Sequence, residues 1–275
     1  MLSNYLKLAF KVLGRNRFFT GISLFGISFT LMILMLIAAL FDSEFGKNPP
    51  LSGKGKMVFL NRVAQELIVK DTIWEIDSSA VQNGMAPDST FRLEDNVNST
   101  SISGVGFHLL DRYMRELADV EASTFFSTDR SFDLFFDNRK LTVNALYCDA
   151  DYWQVFDFTF LEGVPFTAAH LENSTPRVVI TDQTAKQYFG QAMGVTGKTI
   201  TLGSKLFTVT GVVAKPQTAN GTVAADVFLP YTTIEDNALS ETDYQGGFQA
   251  VFLTTSTGAR KQVQDEIMSR TAALP

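Results

Sequence analysis

The stretch Ala192-Met193-Gly194-Val195-Thr196-Gly197-Lys198-Thr199 carries the residue types of a phosphate-binding loop, with alanine in place of the first glycine. Such a loop works by aiming backbone N–H groups at phosphate oxygens. It therefore needs a strand before it and a helix after it, whose first amides complete the cradle. Here the order is inverted: a helical pattern over Gln183 to Phe189 precedes the glycines, and the β-branched run Ile200-Thr201-Leu202 follows them. Lys198 is expected at the start of a strand, without nucleotide. The 2 histidines, His108 and His170, have no His, Cys or carboxylate at metal-ligand spacing. The single Cys148 excludes an intrachain disulfide and a cysteine-based metal cluster. No Gly-x-Ser-x-Gly elbow and no Cys–His pairing can be placed, and nothing selects two of the 29 acidic residues for paired-carboxylate work. No catalytic residue, cofactor site or metal site is assigned. The glycosylation-type triplets at Asn98, Asn173 and Asn220 matter only in a eukaryotic secretory pathway and receive no weight.

The element that must position everything else is the uncharged run Ile22 to Phe41. Twenty residues rising about 1.5 Å each reach roughly 30 Å, the hydrocarbon thickness of a bilayer. A transmembrane helix is expected there, with Ser23, Ser28 and Thr30 returning their hydroxyls to the helix's own carbonyls. Lys7, Lys11, Arg15 and Arg17 precede the run without an acidic residue, while Asp42 and Glu44 follow it. Positive charge stays cytoplasmic, so the N-terminus is expected inside and the chain from about Asp42 outside. A cleaved signal peptide is the rival reading, but its apolar core is shorter and Ala38 and Ala39 imitate its small-x-small site only loosely. A buried helix of a soluble protein would leave the basic approach segment unexplained.

Within residues 1–21, Asn4, Lys7, Lys11 and Arg15 share one helical face, and Leu2, Tyr5, Leu6, Ala9 and Leu13 the opposite one. This reads as an amphipathic interfacial helix whose cations meet anionic lipid headgroups or a cytoplasmic partner; a bare orientation signal is the simpler reading. Residues 42–56, with Gly46-Lys47-Asn48-Pro49-Pro50, read as a Pro/Gly-rich linker. Of the chain's 23 basic residues, four precede the span, so the remainder carries 19 against 29 acidic residues. An acidic exterior argues against nucleic acid.

Residues 57–275 are expected to form an α+β domain of two subdomains. Strands are expected over Met57 to Val69 and Thr72 to Ile76, and a polar loop or meander over Ser78 to Thr100. A helix spans His108 to Val120, and a hairpin joins Phe132–Phe136 to Arg139–Tyr147 at Asp137-Asn138. The aromatic-rich Asp151 to Phe166 is expected to pack in the core, although an aromatic ligand cage is the functional alternative. Arg177 to Thr181 is a strand, Asp182 the N-cap of a helix ending at Gly190, and Gly203-Ser204 a hairpin turn between Thr199–Leu202 and Lys205–Val213. Further strands are expected over Asp226–Tyr231 and Gly247–Thr255, with Thr257 capping a last helix to about Arg270.

LKLAFKVLGRNRFFTGISLFGISF, DYWQVFDFTFLEGVPF, RVVITDQTAKQYFG, GVTGKTITLGSKLFTVTGVVAKP and DVFLPYTT, in this order, resemble the permeases of MacB/FtsX-like ABC transporters: their first membrane helix and periplasmic core domain. The resemblance implies a non-catalytic permease subunit in the bacterial inner membrane, working as a homo- or heterodimer. A separate cytoplasmic ABC ATPase would hydrolyse ATP, and the periplasmic domain would serve export, lipoprotein extraction or mechanotransmission, with or without a periplasmic partner. The family pattern continues into three further membrane helices. No second uncharged run of about 18 residues occurs here, so the chain is expected to be a fragment or one product of a split gene. The competing reading is a single-span, membrane-anchored interaction or sensor domain without transport; an anchored enzyme is a third.

The charge asymmetry around Ile22 to Phe41 generates a topology prediction. A cysteine at Ser52 is expected to react with a membrane-impermeant thiol reagent in intact spheroplasts. Reaction only after lysis would reverse the topology.

Overall fold

A computed structural model of the chain describes residues 15, 17–45, 49–76, 89–128, 130–136, 139–216 and 223–274. They fall into two units. In the first, α1 (Arg17–Phe45) contains both expected span ends, Ile22 and Phe41. It begins before the expected boundary at residue 22 and runs past Phe41. Its apolar stretch, Arg17–Asp42, is 26 residues long with none of it buried, about 39 Å of helix against a hydrocarbon core of about 30 Å. Apolar side chains face outward all round, which is the pattern of a helix solvated by lipid. The Thr30 hydroxyl donates to Ile27 O at 2.9 Å, as expected of a polar group in such a span.

The second unit starts at Pro49, not at Met57. The expected linker 42–56 is therefore wrong at both ends. Residues 42–45 continue α1, whereas Leu51 is 5 % exposed within an apolar layer of the domain. Asp157 ties this segment down, its N–H donating to Pro50 O (3.2 Å) and its carboxylate accepting from Ser52 N (3.2 Å).

The elements of the second unit are β1 (Met57–Leu60), β2 (Val63–Ile76), β3 (Ser89–Ser103), α2 (Phe107–Tyr113), β4 (Val120–Ser127), β5 (Arg130–Phe136), β6 (Arg139–Cys148), α3 (Tyr152–Val155), β7 (Phe160–Gly163), α4 (Ala168–Glu172), β8 (Arg177–Thr181), α5 (Asp182–Phe189), β9 (Thr199–Leu202), β10 (Lys205–Val213), β11 (Val227–Pro230), β12 (Phe248–Thr254) and α6 (Ala259–Ala272). Ten strands form one mixed sheet in the order β1-β12-β4-β6-β11-β8-β10-β7, with β5 on β6 and β9 on β10. Alternation along each strand divides the core into two layers. Val178 and Ile180 of β8, Val227 and Leu229 of β11, and Ala250 and Phe252 of β12 face α2, α5 and α6. Val179, Phe228 and Val251, between them, face the opposite layer built from α3, α4 and the aromatic stretch. Both faces are covered, so these strands read as continuous apolar runs. The α+β class is as expected.

Three local expectations are corrected. The helix expected over His108 to Val120 stops at Tyr113, and Arg270 of α6 donates to Tyr113 O (2.7 Å) and to Glu116 O, satisfying carbonyls a longer helix would have used itself. The N-cap of α5 is Thr181, whose hydroxyl accepts from Thr184 N (3.2 Å), while Asp182 instead accepts from Lys215 N (2.9 Å). The N-cap of α6 is Gly258 rather than Thr257, and Ser256 Oγ takes the Ala259 N–H at 3.2 Å. The largest difference lies in 78–100. Instead of a loop, Ser89 to Ser103 is a 15-residue strand paired antiparallel with β2 in a separate two-stranded ribbon. Its polar composition hid it. The hairpin turn expected at Asp137-Asn138 lies outside the described residues.

The ribbon is rooted on the large sheet chiefly by backbone. Val105 and Phe248 exchange two N–H···O bonds of 2.9 Å, Gly106 N donates to Tyr244 O (2.7 Å) and Gly246 N to Gly104 O (3.0 Å). A Cβ on Gly106 would lie 2.0 Å from Asp243 O, although its φ of −70° and ψ of 143° suit any residue. The glycine is there for closeness and not for backbone conformation. Gly106→Ala is expected to destabilise the domain by about 1–3 kcal/mol, read as a fall of several degrees in the melting midpoint. Gly55→Ala, with nothing within 4 Å of its Cβ, is the control that should leave the midpoint nearly unchanged. Equal behaviour of the two variants would refute the steric account.

Candidate functional site

The loop resembling a phosphate cradle is an anion site whose anion is supplied by the chain itself. Gly194, with φ of 74°, lets the backbone curl so that successive N–H groups point one way. The Glu162 carboxylate, at the end of β7, accepts from Gly194 N (2.5 Å), Val195 N (3.4 Å) and Thr196 N (2.9 Å). The Thr196 hydroxyl, the Thr196 amide and then the other two amides lower the Glu162 carboxyl to about 2. The next amides are also engaged: Gly197 N donates to Val209 O (2.8 Å) and Lys198 N to Val195 O (3.0 Å). Lys198 Nζ rests 5.5 Å from the centre of the Phe189 ring. Thr199 begins β9, as expected. No amide of the loop from Gly194 to Lys198 remains for a phosphate. The sequence reading missed Glu162 because it lies 32 residues from Gly194, and no local pattern announces such a pairing.

A second polar cluster borders a cavity of about 350 Å³ lined by Arg115, Asp149, Glu172, Tyr231 and Thr232 among others. Asp149 accepts from Thr124 Oγ1 (2.6 Å), Phe125 N (2.8 Å) and Tyr152 N (3.0 Å). Burial raises its carboxyl to about 7 against these donated bonds. Arg115 is bound to Asp111 at 2.5 Å and lies over the Phe125 ring. Beside this cluster, the Cys148 thiol is wholly buried and pushed well up by that burial, which makes it unreactive. The Asp149 bonds tie β4 to the start of α3, and their geometry is structural.

The histidines serve structure. His170 Nδ1 accepts from Thr167 N (3.0 Å) in the capping box of α4, and His108 packs against the rings of Tyr113 and Tyr244. Tyr152, Phe156 and Phe166 are buried, and Tyr152 and Trp153 make edge and tilted contacts with Phe126, Phe158 and Phe228. The aromatic stretch is core, not a ligand cage. No group of three His, Cys, Asp or Glu side chains suited to a metal occurs among the described residues. Of the four cations expected to orient the span, Arg15 and Arg17 are exposed; Lys7 and Lys11 lie outside the described residues.

The Glu162 contact has a pH signature. A carboxyl held below its ordinary value near 4.5 adds stability that is complete above that value and disappears as pH falls through about 2. Glu162→Gln is expected to lower the melting midpoint at pH 7, and the difference from the parent should shrink between pH 4.5 and pH 2. A difference constant over that window would rule out the carboxylate charge as its cause.

Residues 20–270 match the family model for the MacB-like periplasmic core domain. Among curated proteins, the macrolide export ATP-binding/permease protein MacB of Salmonella paratyphi A is 29% identical over 116 residues, covering 42% of this chain and 18% of that protein. MacB 1 of Yersinia pestis is 30% identical over 110 residues, 40% of this chain and 17% of that protein. The chain thus spans less than a fifth of the length of these relatives. Among solved structures, the periplasmic region of MacB from Actinobacillus actinomycetemcomitans aligns with TM-score 0.48 and 21% identity over 62% of this chain and 76% of that one. A domain of a putative permease from Porphyromonas gingivalis aligns with TM-score 0.49 and 14% identity over 79% and 82%. An apolar helix of spanning length, a mixed α+β domain whose polar clusters are structural, and a family match over nearly the whole chain converge: this chain belongs to the MacB-like periplasmic core domain family of ABC transporter permeases.

Proposed function

We propose that the chain is the anchor and periplasmic domain of an inner-membrane permease that relays work from a cytoplasmic ATPase partner to a periplasmic task. In this reading the N-terminus is cytoplasmic, with Lys7, Lys11, Arg15 and Arg17 at the lipid headgroups near the ATPase, and the permease acts as a pair of subunits. The task is export, lipoprotein extraction or activation of another periplasmic protein. The observation that carries the proposal is the family match, which runs through the apolar helix and the domain that follows it, residues 20–270. In sequence only three residues, 46–48, separate the end of α1 at Phe45 from the start of the second unit at Pro49, and this joint is where a relay would have to pass.

The test lengthens that joint. Inserting about ten Gly/Ser residues between Asn48 and Pro49 leaves both units intact, because flexible insertions cost little stability. In the complete permease with its ATPase, hydrolysis is expected to persist. The periplasmic task should fall by roughly 5- to 150-fold, the range of a lost coupling free energy of about 1–3 kcal/mol. Transport at the parental rate would replace the relay with a tethered interaction domain.

A further inference from the structure

The β2–β3 ribbon has one face that the described structure leaves uncovered. Its register pairs Ile68 with Val97, Lys70 with Asp95, Thr72 with Leu93 and Trp74 with Phe91, and alternation puts all four pairs on the same side. A bulge between Leu67 and Ile68 keeps Ala64–Ile102 and Glu66–Thr100 on that side too. Trp74 is 62% exposed, Phe91 61%, Leu93 55%, Ile68 56%, Val97 50% and Ile102 65%. The opposite face is mixed: Asn96 Nδ2 donates to Asp71 Oδ2 (2.9 Å) and Arg92 pairs with Glu94 at 2.6 Å, beside Leu67 and Val69, while the apolar side chains of β3 all lie on the first face. A two-stranded ribbon with an apolar face is marginal in water until that face is packed.

We propose that this face packs against the same face of a second copy of the chain, about a two-fold axis parallel to the strands, with Lys70 of one copy against Asp95 of the other. The pattern of the face selects this arrangement. A two-fold axis along the ribbon exchanges β2 with β3. It therefore lays Ile68 on Val97, Trp74 on Phe91 and Ala64 on Ile102, apolar group on apolar group, with Thr72 on Leu93, Glu66 on Thr100 and the central cation on the central anion. A two-fold axis across the ribbon lays Lys70 on Lys70 and Asp95 on Asp95, and like charges directly opposite are repulsive. The six exposed apolar side chains offer on the order of 600 Å² per copy, about 1,200 Å² in all, the lower edge of a standard interface. The contact is thus weak between free domains and sufficient for copies already held together by their anchors. To that extent the inference rests on the paired permease proposed above.

The experiment cross-links two differently tagged copies in membranes, each with Cys148→Ala. One carries Glu66→Cys and the other Thr100→Cys, positions at one level of the ribbon, and a bismaleimide of about 8 Å reach suits faces stacked about 10 Å apart. The expected result is cross-linking of this pair and no product from Glu66→Cys with Thr72→Cys, which the proposed axis holds about 20 Å apart along the strands and an axis across the ribbon at Lys70 and Asp95 would bring to about 12 Å. Phe91→Glu, added to both copies, should abolish the Glu66–Thr100 product while the chain stays in the membrane at the parental level. Equal yields from the two pairs, or survival of the product with Phe91→Glu, would overturn the inference. Cysteines at Ser23, Ser28 and Thr30 in α1 supply the separate readout. If the anchors cross-link and the ribbons do not, the ribbon contact is wrong and the paired permease stands; if neither does, both fail.

Discussion

Backbone meets backbone at the root of the ribbon with no side chain between. Gly104, Gly106 and Gly246 bring the 104–106 segment so close to 243–248 that a Cβ on Gly104 would lie 2.4 Å from Gly246 O. That approach lets Val105 pair with Phe248 at the start of β12, and β12 is central to the rest. It bridges β1 to β4 and carries Phe248, Ala250 and Phe252 into one apolar layer and Val251 into the other. Gln245 closes the joint from the side, donating to Ser101 O (2.9 Å) and Val63 O (3.4 Å) on both strands of the ribbon. The ribbon is therefore an extension of the core by hydrogen bonds, continuing from β12, the strand next to the β1 edge of the sheet.

The polar groups that look most like chemistry are used in the same way. Glu162 fills the amide nest at Gly194 to Thr196, and so fixes the loop between α5 and β9 against the end of β7. Asp149 fills the donors of Thr124, Phe125 and Tyr152, and so fixes β4 against α3. Their environments push the two carboxyls in opposite directions, Glu162 to about 2 by donated hydrogen bonds in the open and Asp149 to about 7 by burial. Neither has a nucleophile or a second acid arranged with it. Perturbed carboxyls are a common mark of active sites, but structural networks perturb them as well, and geometry decides between the two.

Where periodicity and turn chemistry act locally, the sequence was readable. Gly203 adopts φ of 60° between β9 and β10, Gly190 closes α5 at φ of 76°, and Val263 and Ile267 are buried on α6 as their spacing implied. The long apolar span was equally plain, since a run of that length has few other physical solutions. The errors arose where distant groups overrode local preference. Arg270 takes the carbonyl at the end of α2 from 157 residues away, Leu51 pulls the supposed linker into the core, and β3 pairs with β2 despite Glu94, Asp95, Asn96 and Asn98, residues that are poor strand formers alone. In β3 the apolar residues Phe91, Leu93 and Val97 mark one face, but the bulge at Asn98 breaks the alternation by which a strand is recognised.

An exposed apolar ribbon beside open edges is normally an aggregation hazard. This one is defended at its centre, where Lys70 and Asp95 interrupt the apolar face. The charges do not forbid association; they restrict it to approaches in which opposite signs meet.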